Sequence, residues 1–442
     1  MRQKLALLGG TPAFDPSQDP KALRTWPIMT EEDEAAALEV VRANSFSGTD
    51  ITQKLEAEFC QWLDCKYALA FCNGTMSLAA AMYGVGLKAG DEIICTTKTY
   101  WASIVQAMTF GAVPVFCNID NNLSMDPGDI ERCISPRTKA IMAVHYNAYP
   151  CDMDPIMAIA EKHGLKVIED VSHAQGGMYK GRRLGTIGHV AGMSLMSQKS
   201  FAAGELGMLV TSDPEIYERA LAYGHHNFFK PGSLKIAQEL NPYANIALSG
   251  MKGRANQLCS ALARVQLKYY DQRCVEVRKA MNYFWDQLEK LPGIRAIRVD
   301  EATGSTMGGW CYPHGQYVPE ELGGLSVERF CQALTAEGVR SRGGANFCLH
   351  NHPIFKDYDM LGLGKPSRIA FADRDVRELD ALCAPSEGKL CFSVPRLVKF
   401  DKEAIDRYVA VYKKVTDNYQ QLLKDDHGTN AGGAWMGFGS AR

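Results

Sequence analysis

The chain is predicted to be an α/β protein: a mostly parallel mixed sheet packed between helices, followed by a smaller α+β domain. Three observations predict this. Between residues 31 and about 280, short apolar β-branched runs alternate with amphipathic helical patterns, as in a layered sheet whose strands are joined by crossover helices. A long helical pattern from Asn256 to Leu291, closed by Pro292-Gly293, then forms a bridge to a second unit. At 442 residues the chain also exceeds the roughly 250–300 residues at which a single core stops growing.

Residues 1–30 form an N-terminal arm, and residues 31–280 form the large domain. Its expected strands are Tyr67–Phe71, Glu92–Thr96, Val113–Asn118, Ala140–His145, Lys166–Asp170, Ala191–Met196 and Met208–Thr211. Helical patterns lie between them at Gln53–Leu63, Ser77–Val85, Ala102–Phe110, Pro155–His163 and Glu215–Tyr223. In such sheets ligands sit beyond the carboxyl ends of the strands, so polar residues just after each strand become candidates for function. Residues 281–424 form the small domain, with helices at Ser326–Glu337 and Lys402–Leu423, and the Gly-rich residues 425–442 are expected to be a flexible tail. Gly84-Val85-Gly86-Leu87-Lys88-Ala89-Gly90 imitates a dinucleotide glycine pattern, but it follows a helix and has one residue too many, so it is a helix-to-strand turn.

Composition narrows the partners. The 50 acidic and 48 basic residues nearly cancel, which argues against a nucleic-acid or anionic-membrane partner and for a small molecule. The 14 cysteines are scattered through apolar runs, as expected of reduced thiols in a cytoplasmic protein. Cys60 and Cys65 have no second pair at zinc spacing, and no carboxylate or cysteine completes a ligand set around His350-Asn351-His352, so no metal site is expected. The first residues lack a signal-peptide core, and no apolar run is long enough to span a bilayer.

Three local features carry chemistry. Asn73-Gly74-Thr75 lies between a strand and a helix, where backbone N–H groups and a hydroxyl can hold a phosphate; alone it reads more readily as a plain helix cap. Ile168-Glu169-Asp170 ends a strand and is followed by Val171-Ser172-His173, placing a carboxylate where it can pair with a protonated ring nitrogen. Lys199 stands just past an apolar strand and before Gly204-Glu205-Leu206-Gly207, a position in which a lysine can be desolvated into a nucleophile.

Taken together, these segments resemble the DegT/DnrJ/EryC1/StrS family, the sugar and cyclitol aminotransferases of pyridoxal-phosphate fold type I. The resemblance runs from Leu5 to about Tyr412 and includes Leu8-Gly9-Gly10-Thr11-Pro12-Ala13, Gly90-Asp91-Glu92-Ile93-Ile94, Gly111-Ala112-Val113-Pro114-Val115-Phe116 and Tyr179-Lys180-Gly181-Arg182. It implies that pyridoxal 5'-phosphate is the cofactor, that Lys199 binds it covalently, and that Asp170 pairs with its ring nitrogen. It further implies that Gly74, Thr75 and Ser194 hold the phosphate, that Tyr100 stacks on the ring, and that His173 faces it. Two departures stand out. Lys252-Gly253-Arg254-Ala255 replaces the usual Asn-Tyr-Arg-Met, so Lys252 takes the place of an Asn that reaches the neighbouring subunit's phosphate. His189 and Met193 replace Asp and Phe, which suggests altered surroundings near the lysine strand.

The implied reaction is transamination from glutamate or glutamine to a keto-sugar, often nucleotide-linked, or a keto-cyclitol, in a homodimer with shared active sites. Candidate substrate contacts are Ser47, Gly48, His225, His226, Arg254 and His350. The rival readings are a dehydratase or aromatising enzyme acting on a cyclic ketone, and a cofactor-binding regulator without turnover. Retention of Lys199 and Asp170 weighs against the regulator.

Overall fold

The computed structural model describes residues 3–15, 17, 21–225, 229–430 and 433–434. Its strands in the large sheet are β1 (Tyr67–Phe71), β2 (Glu92–Thr96), β3 (Val113–Cys117), β4 (Thr138–Val144), β5 (Lys166–Asp170), β6 (Val190–Ser194) and β7 (Gly207–Thr211). They lie in the order β1-β7-β6-β5-β4-β2-β3, and only β7 runs against the others. The sheet is buried on both faces, which is why its strands read as continuous apolar runs without alternation.

The main helices are α1 (Glu31–Arg42), α2 (Asp50–Leu63), α3 (Gly74–Gly84), α4 (Met153–His163), α5 (Pro214–Gly224), α6 (Gln257–Leu288), α7 (Val327–Ala336) and α8 (Lys402–Asp417). Thr30 and Asp33 close a capping box on α1, and Asn73, Asp213, Asn256, Ser326 and Asp401 cap α3, α5, α6, α7 and α8 through their side chains. The helix expected over Ala102–Phe110 is instead a 3-10 turn at Trp101–Ser103 and a single α turn at Gln106–Thr109. Ile104 leaves the helical region there, and Ser103 and Gln106 spend their side chains on tertiary hydrogen bonds.

Helix α6 has 32 residues, so it is about 48 Å long. Up to Cys274 its buried residues belong to the large-domain core; from Val277 onward they belong to a second core with α7, α8 and a three-stranded antiparallel sheet of β8 (Ile294–Ala296), β9 (His314–Tyr317) and β10 (Cys391–Ser393). The arm is tied into this second core. Leu5, Phe14 and Leu23 are buried in it, and the fully buried Glu337 carboxylate accepts hydrogen bonds from the N–H groups of Ala6 and Ala13 and from Lys414. The segment after Asp425 departs from the expected free tail in its described part. Asp426 accepts from the N–H and hydroxyl of Ser326, and Gly433–Ala434 pairs with Ala345–Asn346, so side-chain caps anchor what its aperiodic composition left unmarked.

Candidate active site

Five chain segments meet at the carboxyl edge of the sheet. The turn after β1 starts α3; Asn73 caps Met76, which leaves the N–H groups of Gly74 and Thr75 without an acceptor among the described residues. Close approach here demands glycine twice. A Cβ on Gly74 would stand 2.6 Å from the Ser194 Cβ, and one on Gly207 would stand 2.1 Å from the Asn73 carbonyl oxygen. The end of β6 therefore lies directly against the α3 N-terminus, and Ser194 reaches the same place as Gly74 and Thr75.

Asp170 ends β5 and is 4% exposed. Its carboxylate accepts from the Ser103 hydroxyl at 2.7 Å and from the Ser172 N–H at 3.0 Å. Its neighbour Glu169 points to the other face of the sheet, as strand alternation requires, and there accepts from His145 Nε2 and from the N–H groups of Gly185, Ile187 and Gly188.

Lys199 is 5% exposed. Burial pushes its ammonium below the usual lysine range, and the nearby Cys311 and Asp170 offset this only in part. Its main chain is fixed: its N–H donates to Met196, and its carbonyl accepts from the Trp26 indole at 3.1 Å. Gln175 braces the same loop, donating to the carbonyl oxygens of Ser172 and Ser194 and accepting from Ser200.

Two cavities open from Lys199. One, of about 220 Å³, is lined by Gly74, Thr75, Tyr100, Asp170, His173, Ser194 and Lys199 among others. The other, of about 440 Å³, is lined by Asn147, Tyr312, His314, Arg342, Asn346 and Arg396 among others. Tyr100, His173 and Lys199 line both and form the partition between them. His173 Nδ1 accepts from the Asn147 N–H at 3.2 Å, and burial, with Lys199 and His314 nearby, holds the ring well below its usual pKa. It is thus neutral, with its proton on Nε2. His314 is likewise pushed down to about 4 by burial.

The smaller cavity suits pyridoxal phosphate: the Gly74-Thr75 helix end and the Ser194 hydroxyl, the Asp170 carboxylate and the desolvated Lys199 amine all line it. The seven residues expected there by resemblance, Gly74, Thr75, Tyr100, Asp170, His173, Ser194 and Lys199, all line it.

A profile of the DegT/DnrJ/EryC1/StrS aminotransferase family matches residues 27–369. The chain belongs to this family. DegT/DnrJ/EryC1/StrS aminotransferases depend on pyridoxal phosphate, and this member is a transaminase. It is 29% identical over 438 residues, 96% of this chain and 100% of the relative, to a candidate L-glutamine:3-amino-2,3-dideoxy-scyllo-inosose aminotransferase of Micromonospora echinospora. It is 35% identical over 240 residues, 54% of this chain and 63% of the relative, to the GDP-perosamine synthase of Escherichia coli O157:H7. An aminotransferase structure from Psychrobacter cryohalolentis matches with a TM-score of 0.74 at 27% identity, covering 90% of this chain and 100% of that one.

Lys252, expected to reach a neighbouring subunit, and the described residues among the expected substrate contacts do not line the two cavities of this DegT/DnrJ/EryC1/StrS member's single chain. Lys252 is exposed and lines neither cavity, although the next residue, Gly253, accepts from the Cys72 N–H close to the α3 turn. Ser47 is exposed; its carbonyl accepts from Arg254, and Gly48 packs against Gln257. His225 is buried behind β1, where Nε2 meets Glu56 at 2.8 Å and the ring packs edge-on against Phe71. His350 is held between Thr97 and Glu387 in a separate open cleft. For His225 and His350 an internal partner has captured the polar group. His226 lies outside the described residues. His189 directly precedes β6, at the strand end remote from Lys199, and accepts from the Val167 N–H.

Sequence reasoning missed Asn147, Tyr312, His314 and Arg396. One signal was present: Met307-Gly308-Gly309-Trp310-Cys311-Tyr312 packs small and aromatic residues together, and Gly308, Trp310 and Tyr312 all adopt positive φ. Left-handed backbone at bulky residues persists where surrounding structure enforces it, commonly beside a reacting centre.

Among the described residues no helix is long and apolar enough to cross a membrane.

Proposed function

We propose that the protein moves an amino group from glutamine or glutamate to the ketone of a sugar or cyclitol, with pyridoxal phosphate attached at Lys199. The single observation that carries this reading is the meeting of Lys199, Asp170 and the Gly74-Thr75 helix end around one buried cavity. The relatives act, by name, on an aminated inosose and in the synthesis of a GDP-linked amino sugar, and the first of them takes glutamine.

When bound, pyridoxal phosphate supplies an aldehyde carbon that carries the amino group and a ring that withdraws electrons from the carbon losing its proton. Gly74, Thr75 and Ser194 hold the phosphate at the positive end of α3. Asp170, fixed by Ser103 and Ser172, keeps the ring nitrogen protonated. Lys199, favoured as a neutral amine by burial, would hold the cofactor's aldehyde carbon, and its Nζ, when free, would take up and return the donor's α-proton. His173 presents Nε2–H at the wall between the cavities, and Tyr100 covers the ring from the side of the β2 exit. Arg396, half-buried, lines the larger cavity and has no carboxylate partner among the described residues; it would anchor the donor's carboxylate.

The test is the absorbance spectrum of the purified protein with pyridoxal phosphate, before and after glutamine or glutamate. A cofactor band that shifts toward the pyridoxamine form on donor addition, and that Lys199→Ala lacks, supports the assignment. Normal transamination by Lys199→Ala overturns it.

A further inference from the structure

The N-terminal arm passes between the two cores just before α1. On one side the Leu23 carbonyl accepts from the Val398 N–H at 2.8 Å, which ties the arm to the segment carrying Arg396. On the other the Ile28 carbonyl accepts from Gln266 Nε2 at 3.2 Å, on the part of α6 that belongs to the large domain. Trp26 lies between these ties, and among the described arm residues it alone packs against both hydrophobic cores.

Its side chain meets two groups of the site at once. The indole N–H donates to the Lys199 carbonyl at 3.1 Å, and the Arg396 guanidinium lies 4.6 Å from the ring centroid. Among the described residues no other group donates to that carbonyl, and Arg396 makes no hydrogen bond or ion pair. Lys199 and Arg396 both line the larger cavity, whereas Trp26 lines neither, so it acts only through them.

An aromatic face suits an arginine that must receive an anion. A carboxylate partner would neutralise the guanidinium and occupy its N–H groups, whereas a ring attracts the cation and consumes none of its donors. The lysine has a different need. Its amine must meet a reacting atom in a narrow range of positions, so its main chain has to be fixed. The Lys199 N–H, donating to the Met196 carbonyl, fixes only the side toward its own loop; the indole fixes the other.

Resting on the aminotransferase reading above, we propose that Trp26 is a positioning residue for the donor half of the reaction: its N–H sets the Lys199 main chain, its ring seats Arg396 for the donor's carboxylate, and the N-terminal arm is thereby part of the donor site.

Three substitutions separate the two contacts. Trp26→Phe keeps an aromatic face and removes the N–H, Trp26→Leu removes both, and Arg396→Leu removes the cation. Glutarate, a dicarboxylate with no amino group to transfer, is titrated calorimetrically into each holoenzyme, and the donor-driven change of the cofactor band is followed by stopped flow with glutamine and with glutamate. Trp26→Leu should weaken glutarate and raise the half-saturating donor concentration about 5- to 30-fold, while Trp26→Phe changes both less than about threefold. Both variants should lower the rate at saturating donor roughly tenfold. In the Arg396→Leu background, Trp26→Leu should weaken glutarate no further. A residue that only fills space gives no such split between affinity and rate.

Unchanged glutarate affinity and saturated rate in Trp26→Leu overturn the inference, as do equal losses of affinity in Trp26→Phe and Trp26→Leu, or a further loss from Trp26→Leu once Arg396 is replaced. Melting temperature and cofactor uptake establish that each variant is folded; if Trp26→Leu does not fold, a normal saturated rate in Trp26→Phe overturns the inference. A parent protein without any donor-driven band change counts instead against the aminotransferase reading, and the glutarate titrations then still decide whether Trp26 seats Arg396.

Discussion

The ammonium of Lys199 lies over the ring of Tyr312, 5.5 Å from its centroid. Tyr312 reaches that place from a backbone with φ of 50°, two residues after Trp310 at 51°. A Cβ on Gly308, just before them, would stand 2.4 Å from the Gln175 carbonyl, so the same loop that braces the lysine strand also shapes the turn carrying the ring. A cation over an aromatic face gains about 0.5–2 kcal/mol. Because the ring favours the charged amine, Tyr312→Leu should lower the pH at which free Lys199 loses its proton by about one pH unit in the cofactor-free protein, while the protein still takes up pyridoxal phosphate, as the pH dependence of amine labelling and an absorbance titration will show.

The lowered pKa of Lys199 also predicts how the cofactor-free protein responds to pH. A lysine depressed on folding binds fewer protons than it does unfolded, so its cost to stability is full at low pH and vanishes as pH rises toward 10.5. Lys199→Met should unfold at a higher urea concentration than the parent at pH 7, with the gap closing toward pH 10. A gap that widens with pH would show that Lys199 is not desolvated.

Glu169 offers a prediction about stability alone. Burial pushes its pKa up, but hydrogen bonds from His145 and from Gly185 and Gly188 outweigh this and hold the carboxylate below 4.5. Its contribution is thus present above pH 4.5 and is lost as pH falls through the lower folded value. Glu169→Ala strands three backbone donors and should cost about 3–5 kcal/mol at pH 7, with the difference from the parent shrinking in acid. Equilibrium denaturation at pH 7 and pH 4 measures both parts.

Gly74→Ala places a methyl group within 2.6–2.8 Å of the Ser194 backbone and Cβ. Either β6 or the α3 turn must move, at a cost of about 1–3 kcal/mol, and the phosphate-binding N–H groups move with it. Pyridoxal phosphate should bind at least roughly tenfold more weakly, and the melting temperature should fall. Unchanged cofactor affinity would show that this turn does not hold the phosphate.

Much of the fold was legible because the sheet is local in sequence. Each strand of β1 to β7 is a short apolar run between turn residues, and all seven expected strands occur with ends shifted by at most two residues. The loop at Ala102–Phe110 misled because Ser103 and Gln106 answer to Asp170 and Thr75, partners that no local pattern reveals. That Gly74, Asp170, Ser194 and Lys199 share one cavity was legible for a similar reason: each follows or ends a strand, and parallel strands bring such positions to one edge. The substrate contacts were not. His225 and His350 looked available as polar residues in loops, yet each had an internal partner, Glu56 or Glu387.

The amino-acid sequence by itself determined the α/β layering through strand periodicity, and its family resemblance singled out Lys199 and Asp170 among the polar residues that strand exits alone left open. Tertiary structure alone decided that Tyr312, His314 and Arg396, from segments packed against the second core, stand around Lys199. Segments more than a hundred residues apart meet through the packing of α6 across two cores, and contacts of that range leave no periodic trace in the chain.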